Sequence, residues 1–432
     1  MIRQYPLSQL GEFRNGLNFS KHIVGTPCKM IGIPDFGDWI SPNYAGLSNV
    51  ERSLVTDDYL LKNGDILFVR SNGNKNLVGR TMLIQDCVDE VSYSGFCIRF
   101  RPNPDLVLPM YLLYVLRSPQ FRKRFSQTQQ SNINNINQDT LGGYRIGIPD
   151  LLSQQSISQQ LEIIDRKIAI NNGINAELEK TAKLLYDYWF VQFNFPNAEG
   201  KPYRASDGEM VWNEELKREI PTGWAVKAIK DCVTDIKTGL NPRKNFVLGN
   251  GTNRYVTIKN IENGRLDFSK CDFIDDEALA KIHNRSDISA GDILFTSIEP
   301  IGRLYRIWEK PEGWDINESV FSIRTNLDVV SVEYLYATLD SDVFRATTLP
   351  LRTGSVQKGI RISDLHSIKI AIPCEGIMTK FSSRVAPFSQ KMWLLEKQNK
   401  ELTALRDFLL PLLMNGQVRV KEKVQYARTS NG

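Results

Sequence analysis

The chain has 432 residues, of which 41% are hydrophobic and 24% are charged, so it can build two or more packed cores. Its formal net charge of +5 permits a polyanionic partner without requiring one. No window approaches the roughly 18 apolar residues of a membrane span, and no signal peptide is recognisable, so we expect a soluble, cytoplasmic protein. The six cysteines form no Cys-x-x-Cys pair, which argues against zinc and disulfides.

A long-period repeat is the most informative feature of the sequence. The segment Gly-Asp-Ile-Leu-Phe at 64–68 occurs again at 291–295. Other short matches keep the same order at a nearly constant offset: Gly-Leu-Asn at 16–18 and 239–241, Gly-Arg at 79–80 and 302–303, Ile-x-Ile-Pro at 146–149 and 370–373, and Glu-Leu at 177–178 and 401–402. A collinear series of this kind indicates a tandem duplication.

Each copy is predicted to be a globular α/β domain followed by a long helix, which gives an α+β chain overall. Pro and Gly are dense after the first helix and mark a crossing between domains. The predicted segments are a first domain at 1–150, a helix at 151–195, a linker at 196–223, a second domain at 224–374, a second helix at 375–418 and a tail at 419–432.

Both helices carry apolar residues at alternating spacings of three and four, the pattern of a coiled-coil seam. Such a helix of about 38 residues spans roughly 57 Å, too long to pack only on its own domain. We therefore predict an antiparallel helix pair that separates the two domains, with a pseudo-twofold axis relating the repeats. We also expect Asn171, Asn175 and Asn399 to interrupt the seam and to meet across the pair. The apolar seam residues are Ile157, Leu161, Ile164, Ile168, Leu178, Ala182, Leu185 and Trp189, then Phe381, Val385, Phe388, Met392, Leu395, Leu402, Leu409 and Leu413.

Polar and basic loops occupy matched positions in the two copies. An isolated loop of this composition is more often a solvated turn, but Arg, Lys, Asn, Gln and Ser are also the residues that bond phosphates and base edges. Because the loops recur while their residues differ, we predict two modules of one fold that read two different DNA sequences. The candidate DNA-binding residues are Asn18, Lys21, Arg70, Ser71, Asn72, Asn74, Lys75, Arg80, Arg122, Lys123, Gln129, Gln130, Asn132, Asn134 and Asn135 in the first copy, and Asn241, Arg243, Lys244, Ser297, Arg303, Arg352, Ser355, Gln357, Lys358 and Arg361 in the second.

Catalytic motifs are missing from the sequence. It contains no Gly-x-x-x-x-Gly-Lys-[Ser/Thr] loop, no Asn-Pro-Pro-[Tyr/Phe] motif and no glycine-rich cofactor loop. The three histidines are far apart and lack counterparts in the other copy. We therefore predict no catalytic residue, no metal site and no cofactor in this chain.

Several segments carry a family resemblance: 184–193 at the end of the first helix, Gly-Lys-Pro-Tyr-Arg at 200–204, the stretch 211–224, and both Gly-Asp-Ile-Leu-Phe strands. With its two variable domains and two long helices, the whole chain resembles the specificity (S) subunit of Type I restriction-modification enzymes. The resemblance implies target recognition domains, a bipartite, asymmetric double-stranded DNA target, and the helix pair as a spacer. It also implies two modification subunits that use S-adenosylmethionine to methylate adenine, and restriction subunits that use ATP and Mg²⁺.

Two other functions stay open from the residues alone. A non-catalytic adaptor would use the two domains to bind proteins and the coiled coil to space them. A self-contained restriction or methylation enzyme would need a catalytic motif that the sequence does not show.

Overall fold

The computed structural model describes residues 2–18, 27–37, 39–74, 77–126, 134–354 and 358–418. The chain forms two compact units, one comprising 1–170 with 398–432 and the other 171–397. Both long helices cross this division, so each unit contains one globular domain and part of each helix.

The first unit is a mixture of short strands and helices. Its strands are β1 (Arg3–Pro6), β2 (Gly11–Asn15), β3 (Pro27–Ile31), β4 (Ser48–Glu51), β5 (Ile66–Val69), β6 (Ser71–Asn72), β7 (Thr81–Leu83), β8 (Val91–Tyr93), β9 (Cys97–Pro102), β10 (Asn134–Asn135) and β11 (Arg145–Ile148). Its helices are α1 (Pro109–Arg117), α2 (Pro119–Ser126), α3 (Gln138–Gly142) and the first part of α4 (Leu151–Tyr186).

The second unit has a similar series of elements. Its strands are β12 (Met210–Asn213), β13 (Arg218–Pro221), β14 (Ala225–Ala228), β15 (Val233–Thr238), β16 (Asn253–Val256), β17 (Ile261–Glu262), β18 (Arg265–Leu266), β19 (Asp272–Ile274), β20 (Ile293–Thr296), β21 (Leu304–Arg306), β22 (Trp314–Ile316), β23 (Val320–Thr325) and β24 (Lys369–Ile372). Its helices are α5 (Ile229–Cys232), α6 (Asp276–Ser286), α7 (Val332–Asp340), α8 (Asp342–Thr348), α9 (Ile362–Ser367) and the first part of α10 (Glu375–Met414).

The two units repeat the same sheet topology, which confirms the predicted internal repeat. An antiparallel sheet has the order β2-β9-β5-β7 in the first unit and β15-β23-β20-β21 in the second. A smaller sheet has the order β4-β3-β8 in one and β19-β16-β22 in the other, with β3 parallel to β8 and β16 parallel to β22. The Ile-x-Ile-Pro strands β11 and β24 pair antiparallel with β1 and β14 and lead into the long helices.

The predicted heptad seam is confirmed by the burial of both helices. Within the first unit, Ile157 and Leu161 of α4 share a core with Leu410 and Leu413 of α10. Within the second unit, Ala182 and Leu185 of α4 pack on the core that contains Phe381 and Val385 of α10. Residue numbers rise along one helix as they fall along the other in both units, so the helices are antiparallel in each.

Polar seam positions have specific partners. In the second unit, Asn175 is 3% exposed, and its Nδ2 donates to the main-chain carbonyl of Met392 at 3.3 Å. We predicted that Asn175 would contact another asparagine across the helix pair. Its amide instead bonds to the backbone of α10. In the first unit, Arg406 fills a seam position and donates through Nη1 to Oδ1 of Asp165 at 2.8 Å, while Tyr114 donates to Oδ2 of the same carboxylate.

The end of α4 carries an aromatic cluster that anchors the helix to the second unit. A π-helical turn at Asp187–Val191 follows α4 and turns Trp189 and Phe190 inward, where they are 3% and 5% exposed. The ring of Phe190 lies 4.9 Å from both Tyr334 and Phe381, with edge-to-face geometry. Rings in this arrangement add about 0.5–1.5 kcal/mol per pair beyond the burial of their apolar area.

The repeated Gly-Asp pair immediately precedes the equivalent strands β5 and β20, and each aspartate forms a buried salt bridge. Asp65 is 1% exposed, and both its oxygens accept hydrogen bonds from Arg101 of β9 at 2.7 Å. Asp292 is 2% exposed and accepts from Arg324 of β23 in the same way at 2.9 Å. The glycine before each aspartate has a φ of 96° or 95°, which favours glycine. A buried carboxylate needs such a partner, which explains why the pair is repeated.

The described residues contain neither a membrane-spanning helix nor a cluster of metal ligands. No helix in the described part of the chain combines the length and apolar character of a membrane span. Within the same residue ranges, no three His, Cys, Asp or Glu side chains lie close enough together to hold a metal ion.

Candidate nucleic-acid interface

In the first unit, three chain segments converge on the turn that joins the two sheets between β8 and β9. We call residues 94–96, and their counterparts 317–319 in the second unit, the inter-sheet turns. The amide of Gly95 donates to the carbonyl of Leu17 at 2.7 Å, and the amide of Arg70 donates to the carbonyl of Phe96 at 2.8 Å. The carbonyl of Arg70 accepts from Ile136 at 2.9 Å, which continues the pairing of β6 with β10.

The second unit repeats two of these three backbone contacts at equivalent positions, and in the third the glycine loop is the donor and the turn is the acceptor. The amide of Gly239 donates to the carbonyl of Asn317 at 3.2 Å, and that of Ser297 donates to the carbonyl of Ser319 at 2.9 Å. The carbonyl of Ser297 accepts from Ile360 at 2.8 Å. The matched polar loops predicted from the sequence therefore meet in each unit around an inter-sheet turn.

The repeated Gly-Leu-Asn segment has a steric explanation in this arrangement. A Cβ atom added to Gly16 would lie 2.0 Å from the carbonyl oxygen of Ser94, and one added to Gly239 would lie 1.6 Å from that of Ile316. Because real Cβ atoms do not approach backbone so closely, these positions require glycine. The repeated glycine thus brings the loop carrying Asn18 or Asn241 directly against the inter-sheet turn.

The side chains of the two inter-sheet turns differ even though their backbones match. Phe96 is 54% exposed, whereas the equivalent residue in the second unit is Ser319. Gly95 has the exposed Glu318 as its counterpart. The hydroxyl of Tyr255 donates to the carbonyl of Leu240 at 2.6 Å and lies 3.4 Å from Oε2 of Glu318. Burial, and then the Glu318 carboxylate, raise the pKa of the Tyr255 hydroxyl.

Several predicted residues of the first copy lie near its inter-sheet turn. The Asn18 amide lies against Gly95, and β6 with β10 brings Ser71 and Asn72 beside Asn134 and Asn135. Of the others, Arg80 is half-buried, and Arg122 and Lys123 lie on α2, half-buried and exposed respectively.

Several predicted residues of the second copy have structural partners. Ser297 is 4% exposed, and its hydroxyl donates to the carbonyl of Ser319, so it supports the turn from inside. Arg303 donates to the carbonyl of Ile261, and Arg352 lies 3.4 Å from the Glu299 carboxylate.

The other predicted residues of this copy present polar groups at the surface. Arg243, Lys244, Lys358 and Arg361 are exposed, and Asn241 is half-buried. Lys358 is held beside the loop after Ser297 by a hydrogen bond from the Glu299 amide to its carbonyl. The remaining predicted residues, and the side chain of Asn134, lie outside the described residues: Lys21, Lys75, Gln129, Gln130, Asn132, Ser355 and Gln357.

Comparison with known proteins gives the family. A family model described as the Type I restriction modification DNA specificity domain matches residues 4–180 and 221–408, one match in each copy of the repeat. The chain belongs to this family. The resemblance noted from the sequence is therefore confirmed.

Individual members of the specificity family match along most of their length. The specificity subunit of the Type I restriction enzyme MjaIX from Methanocaldococcus jannaschii is 28% identical over 338 residues, which cover 74% of this chain and 71% of that relative. The specificity subunit of the Type I restriction enzyme HindI from Haemophilus influenzae is 25% identical over 426 residues. The match covers 86% of this chain and 90% of that relative. A crystal structure of a Type I S subunit from M. genitalium aligns over 96% of both chains with a TM-score of 0.55 and 14% identity, a likeness of fold.

Sequence reasoning missed the inter-sheet turns of this specificity-family chain. The loops were selected for their Arg, Lys, Asn, Gln and Ser content, and neither Phe96 nor Glu318 fits that composition. Aligning the copies at their glycines and strands would have placed Ser94–Phe96 opposite Asn317–Ser319 and shown unlike residues between matched strands.

Proposed function

We propose that this chain recognises a bipartite, asymmetric DNA target, with each unit reading one half. The observation that carries the proposal is the pair of inter-sheet turns, whose carbonyls at Phe96 and Ser319 accept equivalent backbone bonds while their side chains differ. A shared framework can position each unit on the phosphates, while divergent side chains select different bases. Membership of the specificity family supports the same assignment.

Cations near the turns, all exposed except the half-buried Arg70, suit contacts to DNA phosphates. The side chains of Arg70, Arg243, Lys244, Lys358 and Arg361 make no hydrogen bond or ion pair within the described residues. Arg303 and Arg352, by contrast, are engaged by groups of their own unit. We assign the first set to phosphate or base contacts and the second to support of the loops.

The long helices carry a second apolar stripe that the seam does not bury. Its residues lie two positions after or one position before seam residues, on one side of the seam. An exposed apolar stripe of this kind marks a protein-binding surface. The stripe residues are Ile163, Ile170, Ile174, Leu184 and Tyr188 on α4 and the turn after it, and Leu394, Leu405 and Phe408 on α10, with exposed fractions from 39% to 65%.

We assign this apolar stripe to the modification subunits, two copies of which the chain would hold, with restriction subunits joining the complex. Catalysis would belong to those partners, which would bind S-adenosylmethionine, ATP and Mg²⁺, and the chain itself would act as a non-catalytic recognition subunit in the cytoplasm.

The Ile170→Asn substitution is expected to weaken binding of the modification subunit by about 10-fold to 100-fold, because a buried isoleucine contributes about 1.5–3 kcal/mol. Ala169→Asn is the matched control, since Ala169 is exposed on the neighbouring face of the same helix. Titration calorimetry with the purified modification subunit measures the affinity of each variant. Equal affinities for the two variants would remove the stripe from the partner interface.

Salt dependence separates DNA recognition from the adaptor function. If the assembled complex neutralises about six phosphates, its affinity for DNA should fall about 1,000-fold between 50 and 200 mM salt. Fluorescence anisotropy with a labelled duplex measures this slope. An adaptor would bind DNA weakly at every salt concentration, and its apolar protein interface would respond little to salt.

A further inference from the structure

The inter-sheet turns carry side chains that the fold itself does not require. Phe96 leaves 54% of its surface in solvent, and the equivalent position in the second unit is filled by a serine. Glu318 is exposed, and its counterpart Gly95 has no side chain at all. The two units build the same backbone without either group, so packing does not explain their presence.

The structure holds both side chains on rigid backbone. The carbonyl of Phe96 accepts from the Arg70 amide, and the adjoining Gly95 amide donates to Leu17. In the second unit the carbonyl of Ser319 accepts from Ser297, and the Tyr255 hydroxyl lies 3.4 Å from the Glu318 carboxylate. Side chains carried on a fixed backbone need less ordering on binding, which favours selective contacts.

The chemistry of the two residues distinguishes bases from phosphates. Phenylalanine offers no donor to a phosphate but makes an apolar contact with the thymine C5-methyl group in the major groove. A carboxylate is repelled by phosphates, and among base edges it accepts a hydrogen bond from the N4 amino group of cytosine. Either residue placed among DNA-contacting loops therefore favours a base edge.

We propose that the inter-sheet turns are base-reading elements, in which Phe96 selects a thymine in one half-site and Glu318 selects a cytosine in the other. The assignment rests on the proposed function, because it presupposes that each unit contacts one half of a DNA target. It adds which residues discriminate and which bases they favour.

Single substitutions in the assembled complex test the assignment. Complexes with the modification subunit would be expressed in a host without other adenine methylation, and methylated sites would be mapped by single-molecule sequencing. Glu318→Gln should relax a cytosine requirement at one position of one half-site. Phe96→Ser should relax a thymine requirement at one position of the other half-site. The expected loss of discrimination is roughly 10-fold to 100-fold at each position.

Matched controls separate base reading from general effects. Glu312→Gln removes the same charge from an exposed position in the same unit. Trp39→Ser removes an aromatic ring with the same exposed fraction of 54% from the first unit. Both control variants should keep the wild-type motif.

Other outcomes overturn the proposal. If Glu318→Gln and Phe96→Ser leave both half-sites unchanged, or if one substitution alters both, the turns do not read bases. Failure of either variant to assemble would assign its residue a structural role instead. A wild-type complex that methylates no defined motif would contradict the proposed function itself. That result differs from a failure of the base assignments, in which the wild-type motif is defined but the variants leave it unchanged.

Discussion

Arg324→Ala should destabilise the second unit by roughly 2–3 kcal/mol, at the lower edge of the range for breaking a buried ion pair. The substitution leaves the Asp292 carboxylate buried at 2% exposure without its bidentate partner. The loss is moderated because the hydroxyl of Ser322 and the amide of Ser289 still donate to Asp292. Urea unfolding followed by fluorescence measures the change, with Arg285→Ala as the control for loss of an exposed arginine from the same unit.

A second substitution identifies the cause of this destabilisation. Asp292→Asn in the Arg324→Ala background removes the stranded charge and should recover part of the lost stability. Arg324→Lys should remain less stable than the wild type, because an ammonium group does not reproduce the two parallel hydrogen bonds of a guanidinium. A double variant as unstable as the sum of its single variants would contradict a coupled pair.

Deleting one heptad from each long helix should shorten the DNA spacing that the complex accepts by about three base pairs. Seven residues correspond to roughly 10 Å of helix, and one base pair to about 3.4 Å along the DNA. Removing residues 167–173 and 398–404 keeps the seam in register, because the residues on each side of both cuts resume the alternation of three and four. Mapping the methylated motif of the assembled variant measures the spacing.

The control for the paired deletion removes residues 167–173 alone. That change shifts one helix by a heptad against the other, so the polar seam contacts Asn175 to Met392 and Arg406 to Asp165 can no longer both form. We expect this variant to lose assembly. A paired deletion that assembles and keeps the wild-type spacing would show that the helices do not set the distance between half-sites.

Periodic features of the fold followed from the sequence because they depend on local spacing. The alternation of three and four residues from Ile157 to Trp189 specifies a seam without knowledge of the partner. The duplication followed from short collinear matches such as Gly-Leu-Asn and Gly-Asp, whose backbone needs leave little choice of residue. Both features were therefore visible in a single chain.

Features created by contacts distant in sequence were not predictable in the same way. The salt bridge from Asp65 to Arg101 depends on the neighbouring positions of β5 and β9, which the sequence does not state. The composition of its loop placed Ser297 in the candidate interface, whereas the structure buries it beneath the turn. Phe96 does not fit the polar and basic composition by which the loops were selected, and only its 54% exposure in the structure distinguishes it from an aromatic residue of the core.

The most direct test of the account is a map of methylated adenines in a host that produces this chain with its modification subunit. Single-molecule sequencing should find methylation confined to one motif made of two unlike half-sites separated by unread base pairs. Methylation without a shared motif, in the presence of a stable complex, would contradict the reading of two half-sites by two units.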